Sequence, residues 1–102
     1  MLTGKQRAYL RKLAADADTI IHVGKNGVTD AVIVQTDEAL QARELVKGRV
    51  LDNVLLSSRE ACDLLAQNCG AEVVQVIGSK FVLYRKNAKE PKIVMPRART
   101  DR

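Results

Sequence analysis

The stretch IIHVGKNGVTDAVIVQTDEALQ, residues 20–41, admits two readings that lead to different folds. In one, Asn26-Gly27 is a hairpin turn of the favoured primed type and Val32-Ile33-Val34 is a returning strand. In the other, a β-branched strand over residues 20–23 ends at Gly24. The chain then bends through Gly24-Lys25-Asn26-Gly27, and Thr29 opens a helix that runs to about Arg43. The polar face Gln35, Asp37, Glu38 and Gln41, opposite the inner set Val32, Ile33, Thr36, Ala39 and Leu40, follows helical spacing and favours the second reading. Strands separated by helices must cross over, so at least part of the sheet is parallel.

Working outward, residues 3–15 read as a helix with Thr3 as N-cap and apolar residues at 9, 10, 13 and 14. Residues 45–51, LVKGRVL, form a second strand with Lys47 and Arg49 on one side. Ser57 and Glu60 make a capping box for a helix that Gly70 ends. Residues 72–77 and 80–85 are strands joined by Gly78-Ser79, a two-residue hairpin loop. In that register Val76 faces Phe81 and Val74 faces Leu83. Residues 86–102 read as an extended, partly ordered basic segment, with Pro91 and Pro96 around Ile93-Val94-Met95. The expected architecture is one small α/β domain over residues 1–96, in the order α-β-α-β-α-β-β, with a four-stranded mixed sheet. Residues 97–102 follow as a basic C-terminal tail. The strand order in space does not follow from these patterns.

A chain of 102 residues with 46% hydrophobic content can bury one core without metals or disulfides. Tyr9, Phe81 and Tyr84 are its only aromatics, so base stacking on aromatic platforms has little to work with. Cys62 and Cys69 lie two helical turns apart, a spacing for buried reduced thiols rather than a zinc pair. The basic, acid-free start resembles a transit peptide, but Leu10, Leu13 and Ala14 repeat like a core-facing stripe and favour a folded helix. With no apolar run of signal-peptide or membrane-spanning length, the expectation is a cytoplasmic protein with no membrane partner. His22 is the sole histidine, no cysteine or serine has an evident acid–base partner, and no metal-ligand cluster is visible. The reading is therefore not an enzyme, with no cofactor and no metal.

Charge is unevenly placed. Residues 1–12 carry +4, residues 13–79 carry −5 and residues 80–102 carry +6, for a net +5. Basic ends around an acidic middle suit a face for a polyanion, and equally a solvated surface with a loose basic tail. The glycine bend leads into a helix start whose free N–H groups and dipole attract anions. Lys25 adds a charge and Asn26 an amide, as in the GXXG loop of KH domains. Thr29 satisfies one of those N–H groups, Asp30 opposes an anion, and a GXXG is often only a turn.

Four segments together, LTGKQRAYLRKLA, VGKNGVTDAV, RELVKGRVL and GAEVVQVIGSKFVLYRK, resemble the CRM domain, in the stand-alone bacterial YhbY-type form. The likeness runs from Leu2 to about Pro96. It implies an RNA-binding module associated with precursors of the large ribosomal subunit, with a fold similar to the C-terminal domain of translation initiation factor three. It also makes Gly24, Lys25, Asn26 and Gly27 the expected RNA contact. Lys5, Arg7, Arg11, Lys12, Lys47, Arg49, Lys80, Arg85 and Lys86 are candidates for the accompanying basic face. Gly48 stands where the family usually has a β-branched residue, which is expected to loosen its strand, and Arg43 where histidine is common. The expectation is a monomeric rRNA-binding assembly factor. The alternative is a protein-interaction module that docks on a ribosomal protein or another acidic partner.

Overall fold

Residues 2–51 and 56–94 are described by the computed structural model, and the expected order of elements is the observed one. Helix α1 (Gly4–Ala15) starts at Thr3, whose hydroxyl accepts from the Gln6 N–H while the Gln6 side chain accepts from the Thr3 N–H. Strand β1 (Thr19–Val23) leads through the glycine bend into α2 (Asp30–Arg43), capped by Thr29. The helix reading of residues 29–43 thus holds over the hairpin. Strand β2 (Leu45–Val50) follows, then α3 (Ser58–Cys69), which carries the Ser57/Glu60 capping box and ends at Gly70 in the left-handed conformation. Strands β3 (Glu72–Ile77) and β4 (Lys80–Tyr84) form the hairpin. None of the described helices is long and apolar enough to cross a membrane. The expected tail, residues 97–102, lies outside the described residues.

The sheet order is β1-β2-β4-β3, with β1 and β2 parallel and both other pairs antiparallel. Helices α2 and α3 cover one face. There Ile21, Val23, Val46, Phe81 and Leu83 pack with Leu40, Ala61, Cys62, Leu65 and Cys69. Helix α1 is the one described helix on the other face, burying Leu10 and Ala14 against Val74, Val82 and Tyr84, with Leu2 and Ile93 packed beside them. Leu13, expected in that stripe, is 37% exposed, because the Leu10/Ala14 pair one turn apart already fills the contact. Both cysteines are free and buried, and burial pushes the Cys62 thiol up to about 12.

Two expectations about the strands are corrected. Val76 does pair with Phe81, but Leu83 pairs with Val73, and the register shifts between Val73 and Gln75. Val74 is therefore the extra residue of a bulge and packs under α1 instead of facing Leu83. Nor does Gly48 leave a loose strand. It pairs with Phe81 across the ladder, and a Cβ at Gly48 would lie 2.2 Å from the ring's Cζ. The Phe81 ring fills the volume that a β-branched side chain would take, and it is fully buried.

The described part of the C-terminal segment is not simply extended. Glu44, the C-cap of α2, is fully buried at φ 65°, where a non-glycine residue is strained. Its carboxylate accepts the backbone N–H groups of Asn87 (2.6 Å), Lys92 (2.7 Å) and Ile93 (2.7 Å), which folds residues 87–93 around it. Its own carbonyl accepts from Arg85 N–H at 2.9 Å.

Two expected outcomes test this packing. Gly48→Ala forces the Phe81 ring aside and lowers stability by about 1–3 kcal/mol in denaturant unfolding. Phe81→Leu should recover part of that loss in the double variant; simple additivity of the two losses would show that the ring and the glycine are not coupled. For Glu44, burial raises the carboxyl pKa, but the three N–H donors and the Lys86 charge outweigh it and hold the group below its ordinary 4.5. A depressed folded value means that this stabilisation is complete above pH 4.5 and drains away as pH falls through the folded value. The protection of the Asn87, Lys92 and Ile93 amides, taken relative to the intrinsic exchange rate at each pH, should fall in that acid window in the parent and stay flat in Glu44→Gln. Glu44→Gln itself should cost about 1–3 kcal/mol at neutral pH.

Candidate nucleic-acid interface

The bend is a tight turn. Gly27 N–H donates to the Gly24 carbonyl at 2.9 Å, leaving Lys25 and Asn26 exposed as the two central residues. Gly27 has φ 76°, a conformation that suits glycine, whereas Gly24 is not in the positive-φ region. Of the two glycines of the bend, only Gly27 needs that conformation. What Gly24 supplies is room, since a Cβ there would meet nothing within 4 Å. Thr29 N–H donates to the Gly27 carbonyl at 3.1 Å, and the Thr29 hydroxyl accepts from Val32 N–H at 3.3 Å. The first-turn amides of Asp30 and Ala31 have no intrahelical acceptor.

Next to the bend, cross-strand pairing lines up two cations and the chain's one histidine. His22 on β1 pairs with Arg49 on β2, and Arg49 pairs with Lys80 on β4. All three are exposed and sit on the α1 side of the sheet, because their neighbours Val23, Val50 and Phe81 point into the core under α2 and α3. Lys47 lies one step further along β2, and its Nζ donates to the Ala14 carbonyl at the end of α1 at 3.3 Å. Arg11 reaches the same region from the helix, lining one concavity with Lys47 and Lys80. Two backbone bonds hold this end of the sheet to the loops: Leu51 N–H to the Val23 carbonyl and Val50 N–H to the Ser79 carbonyl.

The fold also separates charge by side. Helix α1 has four cations and no acid, whereas α2 and α3 together carry five acids against two arginines. A family model described as the CRS1 / YhbY (CRM) domain matches residues 2–85. The chain belongs to this family. It is 41% identical to the "Probable RNA-binding protein YqeI" of Bacillus subtilis, over 94% of this chain and all of that one. It is 32% identical to a Haemophilus influenzae protein named "RNA-binding protein", covering 94% of this chain and 96% of the relative. The solution structure of Staphylococcus aureus protein SAV1595 superposes with a TM-score of 0.79 at 43% identity, over 94% of this chain and all of that one.

Within this CRM domain, the structure brings Arg11, Lys47, Arg49 and Lys80 together on the α1 side, at the end of the sheet where the bend Gly24, Lys25, Asn26 and Gly27 leaves β1. Lys12 is exposed on the same helix, and Lys5 lies at that helix's far end. Arg7 is partly committed, donating to the Val73 carbonyl at 3.3 Å. Arg85 is held elsewhere, its guanidinium 2.6 Å from Asp37 and also bonded to the Cys69 carbonyl. Lys86 follows it at the Glu44 end of the sheet, away from the bend. His22, which is not among the sequence-predicted contact residues, joins the row. Strand alternation marks its side, but only the β1–β2 register shows that Arg49 stands beside it.

The two glycines of the bend make a contrast that separates conformation from access. Gly24→Ala should leave thermal stability unchanged and weaken polyanion binding if a ligand backbone passes over that open position. Gly27→Val should lower both, because a β-branched residue is strained at positive φ. Melting curves and binding isotherms on the two variants check this. Unchanged binding in a stable Gly24→Ala protein would remove the close approach.

Proposed function

We propose that this CRM-domain protein binds RNA through the glycine bend and the adjoining basic row, and acts as an assembly factor on rRNA in precursors of the large ribosomal subunit. The observation that carries the RNA reading is the row His22–Arg49–Lys80, which crosses three strands and ends at the Lys25 turn. Neighbouring strands are about 4.8 Å apart, so Arg49 and Lys80 present two positive charges side by side that can meet phosphates of one RNA strand. The bend adds a mobile ammonium, an exposed amide from Asn26 and first-turn N–H groups, all donors for phosphate or ribose oxygens. RNA-binding names among its relatives support the same reading. The ribosomal role rests on the family resemblance, and the protein is expected to act in the cytoplasm as a monomer without a cofactor.

Five cations, Lys25, Arg11, Lys47, Arg49 and Lys80, meeting phosphates should give a slope of about −4 in log K against log salt. Lys25→Ala should make that slope shallower by about one unit. It should also weaken RNA binding by about 1.5–3 kcal/mol at most, with no loss of stability from so exposed a side chain. A flat salt response in the parent would rule out the backbone clamp. Crosslinking in cells followed by sequencing of the attached RNA tests the target, and recovery of RNAs other than large-subunit rRNA would overturn the ribosomal assignment.

A further inference from the structure

The bulge in β3 places two consecutive residues on one side of the sheet. In a regular strand Val74 and Gln75 would face opposite ways. Here Val74 packs under α1, while Gln75 pairs with Val82 and lines a concavity of about 300 Å³ between the end of α1 and the sheet. Bulges re-aim side chains in this way and are enriched beside functional sites. The other walls are Arg11 and Ala14 from α1, Lys47 from β2, and Ile77 and Lys80 from the hairpin. Ile77 is 63% exposed at the rim, a large apolar side chain with no core to join.

We infer that this concavity is a base-reading pocket that takes one unpaired nucleotide of the bound RNA, an assignment that rests on the RNA reading above. Its volume is at the small end of the range for small-molecule sites, enough for one nucleoside and too little for a stacked pair. The chemistry is divided as a nucleotide requires. Ile77 and Ala14 give apolar surface for a base, and the Arg11 guanidinium offers a plane on which a base can stack, a substitute for the missing aromatic platform. The Gln75 amide, which has no hydrogen-bond partner among the described residues, presents both a donor and an acceptor to a base edge. Lys47 uses one N–H on Ala14 and keeps two, and with Lys80 it can hold the nucleotide's phosphate. RNA recognition here would then combine sequence-tolerant backbone contacts at the bend with selectivity at a single position.

The test titrates the four ribonucleoside 5′-monophosphates, with ribose 5-phosphate as control, into isotope-labelled full-length protein observed by NMR. Amide shifts at Arg11, Gln75, Ile77 and Lys80 are expected with the nucleotides, strongest for one base, and weaker with the control. Gln75→Ala should reduce affinity for the preferred nucleotide by about tenfold. It should leave the salt slope of binding to a mixed-sequence RNA oligomer intact. Equal shifts from all four nucleotides and the control, or none at these residues, would overturn the pocket. If the oligomer still binds with a steep salt slope in that case, the backbone clamp stands without the pocket. If the oligomer does not bind at all, both fall together.

Discussion

One helix cannot cover four strands. A helix with its side chains is about 10–12 Å across, whereas four strands at about 4.8 Å spacing make a surface nearly twice as wide. On the α2/α3 side two helices meet that requirement, and the side chains beneath them form the larger core. On the other side α1 packs over β2, β4 and β3 and leaves the end of β1 and its neighbours uncovered. A face left open to water favours polar side chains, and here His22, Arg49 and Lys80 line its end, with Ile77 the exposed apolar exception beside Lys80. The charged face and the open face are therefore one consequence of an unequal number of helices.

The close contact between Gly48 and Phe81 is a similar exchange. In isolation a glycine weakens a ladder. Phe81 is the chain's one phenylalanine, and its ring takes up the space over the glycine that faces it. Strand β2 thus keeps full packing on its core face while its other face remains free for Lys47 and Arg49. A larger residue at either position would have to be matched by a smaller one at the other.

Much of this was legible in the residues because the signals were local. Thr3, Thr29 and Ser57 announce helix starts through their own side chains, Gly70 and Gly78 mark a stop and a turn, and alternation sets Lys47 beside Arg49. Pairing between distant segments was not legible. No sequence pattern shows that His22 stands next to Arg49, or that an extra residue in β3 moves Val74 to the α1 side. Glu44 was missed for a related reason. In the sequence its charge suggests a side chain in water, and only the return of residues 87–93 supplies the three N–H donors that make its burial tolerable. Arg85 and Arg49 are indistinguishable by residue type, yet one is spent on Asp37 and the other has no acidic partner among the described residues.

Leu2 and Ile93 both pack beside Tyr84, at the end of β4 where it pairs with Leu45. The glycine bend leaves the opposite end of the sheet, a strand length of roughly 17 Å away. Both ends of the described fold therefore emerge from the same pole. A tether, a fluorescent label or a neighbouring module attached at either would hold the protein by its base, with the bend facing outward. The same closeness makes the chain a natural subject for circular permutation, with residues 2 and 94 joined by a short linker.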